Sequence, residues 1–151
     1  MLLLVDAPDE LLEKIIANTK EIRPGQGPGE MGPVIDSASY AKIISYIEAA
    51  EKDGAKVLLD GRSWKKEKGN WVGPTILLHE SPNDKTIKDE VFGPVLSVYK
   101  CKNWEEAIAI ENGNPFGNAA SVYTTNGANA DWFVERFRAG MLGVNIGIPG
   151  T

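Results

Sequence analysis

PVLSVYKCKNWEEAIAIENGNPFGNAASVYTTNG, residues 94–127, carries the alternation that decides the fold. Pro94-Val95-Leu96-Ser97-Val98-Tyr99 follows Gly93 as a short apolar run and reads as a strand. Asn103 offers a side-chain oxygen to the first turn of a helix bearing Trp104, Ala107, Ile108 and Ile110, which stops near Gly113. Ala119 to Tyr123 returns as a strand and ends in Thr124-Thr125-Asn126-Gly127. A further helix, roughly Ala130 to Arg138, should bury parts of Trp132, Phe133, Val134 and Phe137. Gly140 closes it before a strand over Met141 to Ile146. Strands separated by helices need crossover connections, so the expected class is α/β, with a parallel or mixed sheet flanked by helices. Strands of such a sheet are apolar on both faces, and Met141-Leu142-Gly143-Val144 fits that demand.

The same rhythm extends toward the N-terminus. A helix over about Pro8 to Lys20 places Leu11, Leu12, Ile15, Ile16 and Thr19 on one side, with Asp6 as its cap and Asp9 and Glu10 at its positive end. The run Pro24-Gly25-Gln26-Gly27-Pro28-Gly29 interrupts regular structure; it lacks the lysine and hydroxyl of a phosphate-binding loop. A second helix, Ser37 to Lys52, buries Tyr40, Ile43, Ile44, Ile47 and Ala50, turns Lys42, Ser45, Glu48, Glu51 and Lys52 to water, and ends at Gly54. Strands follow at Ala55 to Leu59 and Thr75 to Leu78. No repeat and no domain boundary is visible, only loops at 23–36 and 61–73. Both chain ends fit a piece of something larger as well as a short natural protein.

Composition narrows the function. The 16 basic and 21 acidic side chains leave a net charge of -5, which gives no electrostatic reason for a nucleic-acid partner. Lys65, Lys66 and Lys68 between Trp64 and Trp71 are the one basic stretch with aromatics, and Glu67 with the surrounding glycines makes it a solvated loop. A single cysteine, Cys101, and a single histidine, His79, exclude a disulfide framework and a thiolate-rich metal site. The opening Met1 to Val5 is too short for a secretion signal, and no stretch reaches bilayer length. A protein without nucleic-acid or membrane partners is therefore expected, with bacterial cytoplasm ranked ahead of the mitochondrial matrix.

Asp89-Glu90-Val91-Phe92-Gly93-Pro94-Val95 resembles the glutamate-phenylalanine-glycine-proline signature of the aldehyde dehydrogenase superfamily. Five further segments resemble that family in the same order: Met31 to Ile35, Gly54 to Val57, Gly73 to Ile76, Asn114 to Asn118 and Gly143 to Asn145. Phe116 and Asn118 depart from its usual tyrosine and glycine. Gly69 to Ile76, Thr124 to Ala128 and Gly143 to Pro149 are most similar to the CoA-acylating methylmalonate-semialdehyde dehydrogenases. The resemblance spans the chain and implies one part of a catalytic domain. The nucleophile segment, the dinucleotide-binding domain and the C-terminal oligomerisation segment would belong to other polypeptide.

By that resemblance the parent enzyme oxidises malonate or methylmalonate semialdehyde with NAD and passes the acyl group to coenzyme A. It would act as a homodimer or tetramer. Aldehyde oxidation needs a nucleophile, because the bare carbonyl is a poor hydride donor until a thiolate adds to it. The resemblance makes Glu90 and Phe92 the cofactor-binding residues. A carboxylate can accept hydrogen bonds from both ribose hydroxyls, and an aromatic ring can pack beside the sugar. Such a role asks for Glu90 at the sheet's C-terminal edge, free of salt bridges and with room for a ribose. Taken without the family, Glu90 is a solvated carboxylate and Phe92 ordinary packing. Asn145 resembles a family asparagine close to the active-site channel; its amide could donate to substrate or satisfy backbone groups in the following loop, the structural role being preferred, and His79 is read as a loop or strand-end residue. Cys101 matches no catalytic position, so no catalytic residue and no metal ligand is assigned within these residues, and the chain alone is expected to be inactive. The rivals are part of a hydrolytic aldehyde dehydrogenase and a noncatalytic subunit that joins intact partners.

Overall fold

The computed structural model describes residues 1–64 and 69–147. The chain divides into two compact units, Met1–Lys100 and Cys101–Thr151, at a point that no linker marks in the sequence. In the first unit, β1 (Leu2–Leu4), α1 (Asp9–Lys20), β2 (Arg23–Pro24), β3 (Glu30–Met31), α2 (Ser37–Lys52), β4 (Lys56–Leu59), β5 (Thr75–His79), α3 (Lys85–Lys88) and β6 (Val95–Lys100) follow one another, with a 3-10 turn at Gly61–Ser63. Four strands form a mixed sheet in the order β1-β6-β5-β4. β1, β6 and β5 run parallel, and β4 is antiparallel to β5.

Alternation along β5 builds the core. Leu77 joins Ile43, Ile47 and Ala50 of α2 on one face, while Ile76 meets Leu4, Leu12 and Val98 on the other. Each face of the sheet therefore has its own helix, the arrangement a largely parallel sheet requires. α2 has the limits its pattern predicts: the Asp36 carboxylate accepts from the Ser39 amide at 2.7 Å, and Gly54 takes φ +101 just past the last turn.

Leu2–Leu4, which carry no strand period of their own, pair with Val98–Lys100 as an edge strand. Three expectations for this unit need correction. Asp6 does not cap α1; the cap position is Pro8, which makes no side-chain bond, and Asp6 bends the chain at φ +49. Leu11 faces outward at 41% exposure, because Leu12 alone fills the buried side of the first turn. The glycine–proline loop contains a two-residue parallel pairing of β2 with β3.

The second unit holds α4 (Trp104–Gly113), β7 (Ala119–Val122), α5 (Gly127–Val134) and β8 (Met141–Val144). β7 and β8 pair in parallel across the α5 crossover. Asn103 caps α4 as expected, accepting from the Glu106 amide at 2.9 Å. α5 starts three residues before the predicted Ala130 because the Asn126 side chain accepts from the Ala128 amide and nucleates the turn there. Trp104 and Phe133 pack at 4.6 Å between ring centroids, whereas Val134 lies outside this contact and is exposed. β8 also departs from its expectation. It ends at Val144, and Met141, Leu142 and Val144 are 37–38% exposed rather than enclosed on both faces, because its sheet has only two strands.

Candidate functional site

The segment from Asp89 to Gly93 joins α3 to β6 and carries both predicted cofactor contacts. Three anchors hold it against α2. The Tyr46 hydroxyl donates to the Asp89 carboxylate at 2.7 Å, and that carboxylate pushes the phenol above its usual pKa. The Lys42 ammonium donates to the Glu90 carbonyl at 3.1 Å. Gly93 lies so close to Ile43 that a Cβ there would sit 2.5 Å from its Cδ1 atom, which excludes any larger residue without movement. Lys42 and Lys85 flank the Tyr46 ring, their ammonium groups 5.8 and 5.2 Å from its centroid.

Between these anchors two side chains are left over. Glu90 is exposed, and its carboxylate makes no ion pair or hydrogen bond among the described residues. Phe92 is 79% exposed and takes φ +53. A left-handed backbone at a bulky residue costs roughly 1–2 kcal/mol, and Phe92 buries too little ring to return it.

One positional expectation is corrected. Glu90 does not lie at the C-terminal edge of the sheet; its segment leads into the start of β6, beside the start of β5. The Glu90 carboxylate is exposed and forms no salt bridge among the described residues.

Asn145 follows β8 at φ +55. Its side-chain oxygen accepts from the Thr124 amide and its side-chain amide donates to the Thr124 carbonyl, each at 2.9 Å. The residue is thus committed to holding the loop after β7. Cys101 is buried, and desolvation with the nearby Glu106 carboxylate pushes its thiol up to about 11. A buried, protonated thiol is a poor nucleophile. His79 ends β5, as expected of a strand-end residue, but it is buried and bonded through both ring nitrogens.

Lys42 and Tyr46 carry no sequence mark of their own. Lys42 reads as a solvated helix residue, and only the fold brings it to Glu90, 48 positions away. Trp71 is buried, so it offers no stacking platform. Lys65, Lys66 and Lys68 lie outside the described residues, as do Ile148 and Pro149 of the Gly143–Pro149 segment.

The aldehyde dehydrogenase family model matches residues 1–151. The chain belongs to the aldehyde dehydrogenase family. Within it, the relations run to the malonate- and methylmalonate-semialdehyde dehydrogenases. A malonate-semialdehyde dehydrogenase from Oceanobacillus iheyensis is 41% identical over 149 residues, which is 95% of this chain and 31% of the relative. A relative from Drosophila pseudoobscura, named as a methylmalonate-semialdehyde/malonate-semialdehyde dehydrogenase, acylating and mitochondrial, is 45% identical over 141 residues, 91% of this chain and 27% of its own length. The crystal structure of a Thermus 1-pyrroline-5-carboxylate dehydrogenase with bound NAD matches at TM-score 0.89 and 30% identity, covering 99% of this chain and 29% of that one. The chain thus spans about a third of the length of these relatives. Among the described residues no helix is long and apolar enough to cross a membrane.

Proposed function

We propose that this chain supplies the nicotinamide-ribose contacts of an NAD-dependent aldehyde dehydrogenase, with Glu90 as the ribose acceptor and Phe92 as its packing partner. The observation that carries this is the pairing of a spare, exposed carboxylate with a strained, exposed aromatic ring two residues on, in a segment otherwise tied down by Tyr46, Lys42 and Gly93. A ribose fits such a pair chemically. The carboxylate has free lone pairs for two hydroxyl donors, and the ring covers the apolar side of the sugar. NAD, when bound, accepts the hydride of the aldehyde. Glu90 and Phe92 orient the sugar that carries the accepting ring, and the anchors on α2 keep that orientation from drifting.

The thiolate for covalent catalysis comes from polypeptide other than these 151 residues, because Cys101 is the sole cysteine and is buried with a raised pKa. The chain alone therefore yields no NADH from either semialdehyde; turnover proportional to its concentration would overturn that statement. In the complete enzyme the acyl group passes to coenzyme A after oxidation of malonate or methylmalonate semialdehyde, supported by the names of the relatives at 41% and 45% identity. Assay of the complete enzyme with and without coenzyme A separates this from hydrolysis of the thioester. Assembly of that enzyme as a homodimer or tetramer, and a bacterial cytoplasmic location, complete the proposal; the mitochondrial relative leaves the matrix as the competing location.

The ribose contact is tested on the chain as it stands. Titration of the isotope-labelled protein with NAD at about millimolar concentration, the scale of a single-site contact, should shift the amide signals of Asp89 to Gly93. Glu90→Gln should abolish those shifts and leave the rest of the spectrum unchanged. Shifts of equal size in both proteins, or none in either, would remove Glu90 from the cofactor site.

A further inference from the structure

The buried polar group that the proposed chemistry leaves unused is the cluster around His79. The ring is almost wholly enclosed, at 3% exposure, and Thr86 and Ser97 are buried with it. Its Nδ1 atom lies 2.7 Å from the Asp84 carboxylate, and its Nε2 atom 3.2 Å from the Thr86 hydroxyl. The Ser97 hydroxyl of β6 donates to the Thr86 carbonyl at 3.0 Å. A carboxylate can only accept, so an Nδ1 proton belongs to the bond with Asp84, while Nε2 pairs with the Thr86 hydroxyl.

These bonds have one structural consequence. Asp84 and Thr86 bracket the first turn of α3, so β5 and β6 grip that short helix at its start. At its far end α3 passes directly into Asp89 and Glu90, which Tyr46 and Lys42 hold to α2. A four-residue helix has no cooperative stability of its own. Its place in the molecule is set by the groups that hold it at each end.

We infer that His79 is a positioning residue for Glu90 and Phe92, acting through α3. This rests on the cofactor role proposed above. His79 touches neither cofactor nor substrate; it fixes the start of the segment whose end presents the carboxylate and the ring. Removing its two hydrogen bonds leaves Asp84 and Thr86 without their buried partner, and α3 with the following segment opens locally while the sheet and α2 stay closed.

Amide hydrogen exchange on the whole chain tests this without any nucleotide, so its outcome is independent of the ribose assignment. In Thr86→Val, which keeps the side-chain volume but removes the hydroxyl, exchange at the hydrogen-bonded amides of Ile87 to Asp89 should rise at least about 10-fold over wild type, with β5 and α2 amides unchanged. His79→Leu should raise it further at the same positions. His79→Gln, which retains a donor and an acceptor, should restore at least half of the protection lost in His79→Leu. Exchange in 87–89 that stays at the wild-type rate in Thr86→Val, or that rises in step with β5 and α2, overturns the inference and makes His79 an ordinary core residue. If the exchange result holds while Glu90→Gln leaves the NAD-induced shifts intact, the positioning stands and the ribose assignment falls.

Discussion

Phe92 and Asn145 share one backbone conformation, φ +53 and +55, and differ in what their side chains do with it. Asparagine enters the left-handed region more readily than most residues, and Asn145 uses it to bridge both backbone groups of Thr124. Phe92 has neither the intrinsic tolerance nor a local bond to justify the turn, and its ring projects into solvent. The difference separates a side chain committed to the fold from one left free by it. Glu90 belongs with Phe92, while Cys101, buried and protonated, belongs with Asn145.

That division can be broken at four places. The largest effect is expected at Cys101. Raising the thiol from 9.0 to about 11 lowers its thiolate fraction at neutral pH about 100-fold, so alkylation by iodoacetamide should be at least that much slower than in the urea-unfolded chain. The same shift fixes a sign. The folded state holds the proton more tightly, so the thiol's contribution to stability is complete below pH 9 and is lost as the pH rises from 9 toward 11. Denaturant midpoints flat across that window would contradict the burial of Cys101.

Asn145→Ala comes next. It removes two hydrogen bonds and leaves a less tolerant residue at positive φ, a loss of about 2 kcal/mol by urea unfolding. Phe92→Gly should move in the opposite direction, stabilising the chain by about 1 kcal/mol through release of the left-handed strain. If both substitutions destabilise alike, Phe92 is a packing residue and the contrast fails. Smallest is Glu90→Gln, within about 0.5 kcal/mol of wild type because the carboxylate has no partner to lose. A larger loss would reveal a structural role for that side chain.

Legibility in the sequence followed how local each interaction is. α2 was readable to the residue, since its period, the Asp36 cap and the Gly54 stop all lie within one stretch of chain. α4 was readable for the same reason, with Asn103 at its start. β1 was missed because three leucines show no strand period, and only pairing with Val98–Lys100 makes them one. α3 was missed because four residues carry no helical signal; buried bonds to His79 and Ser97 hold it in place. The exposure of β8 followed from a sheet of two strands, which no property of Met141–Val144 announces.

The chain's own letters determined the α/β class, the family and the candidate pair Glu90 and Phe92, because periodicity, caps and short motifs are written in neighbouring residues. Tertiary structure decided which groups remain free. Lys42, Tyr46 and His79 reach the Asp84–Gly93 region from two other elements. The freedom of the Glu90 carboxylate depends on bonds elsewhere being satisfied, and hydrogen bonding and burial over such separations arise only when the folded chain brings those elements together.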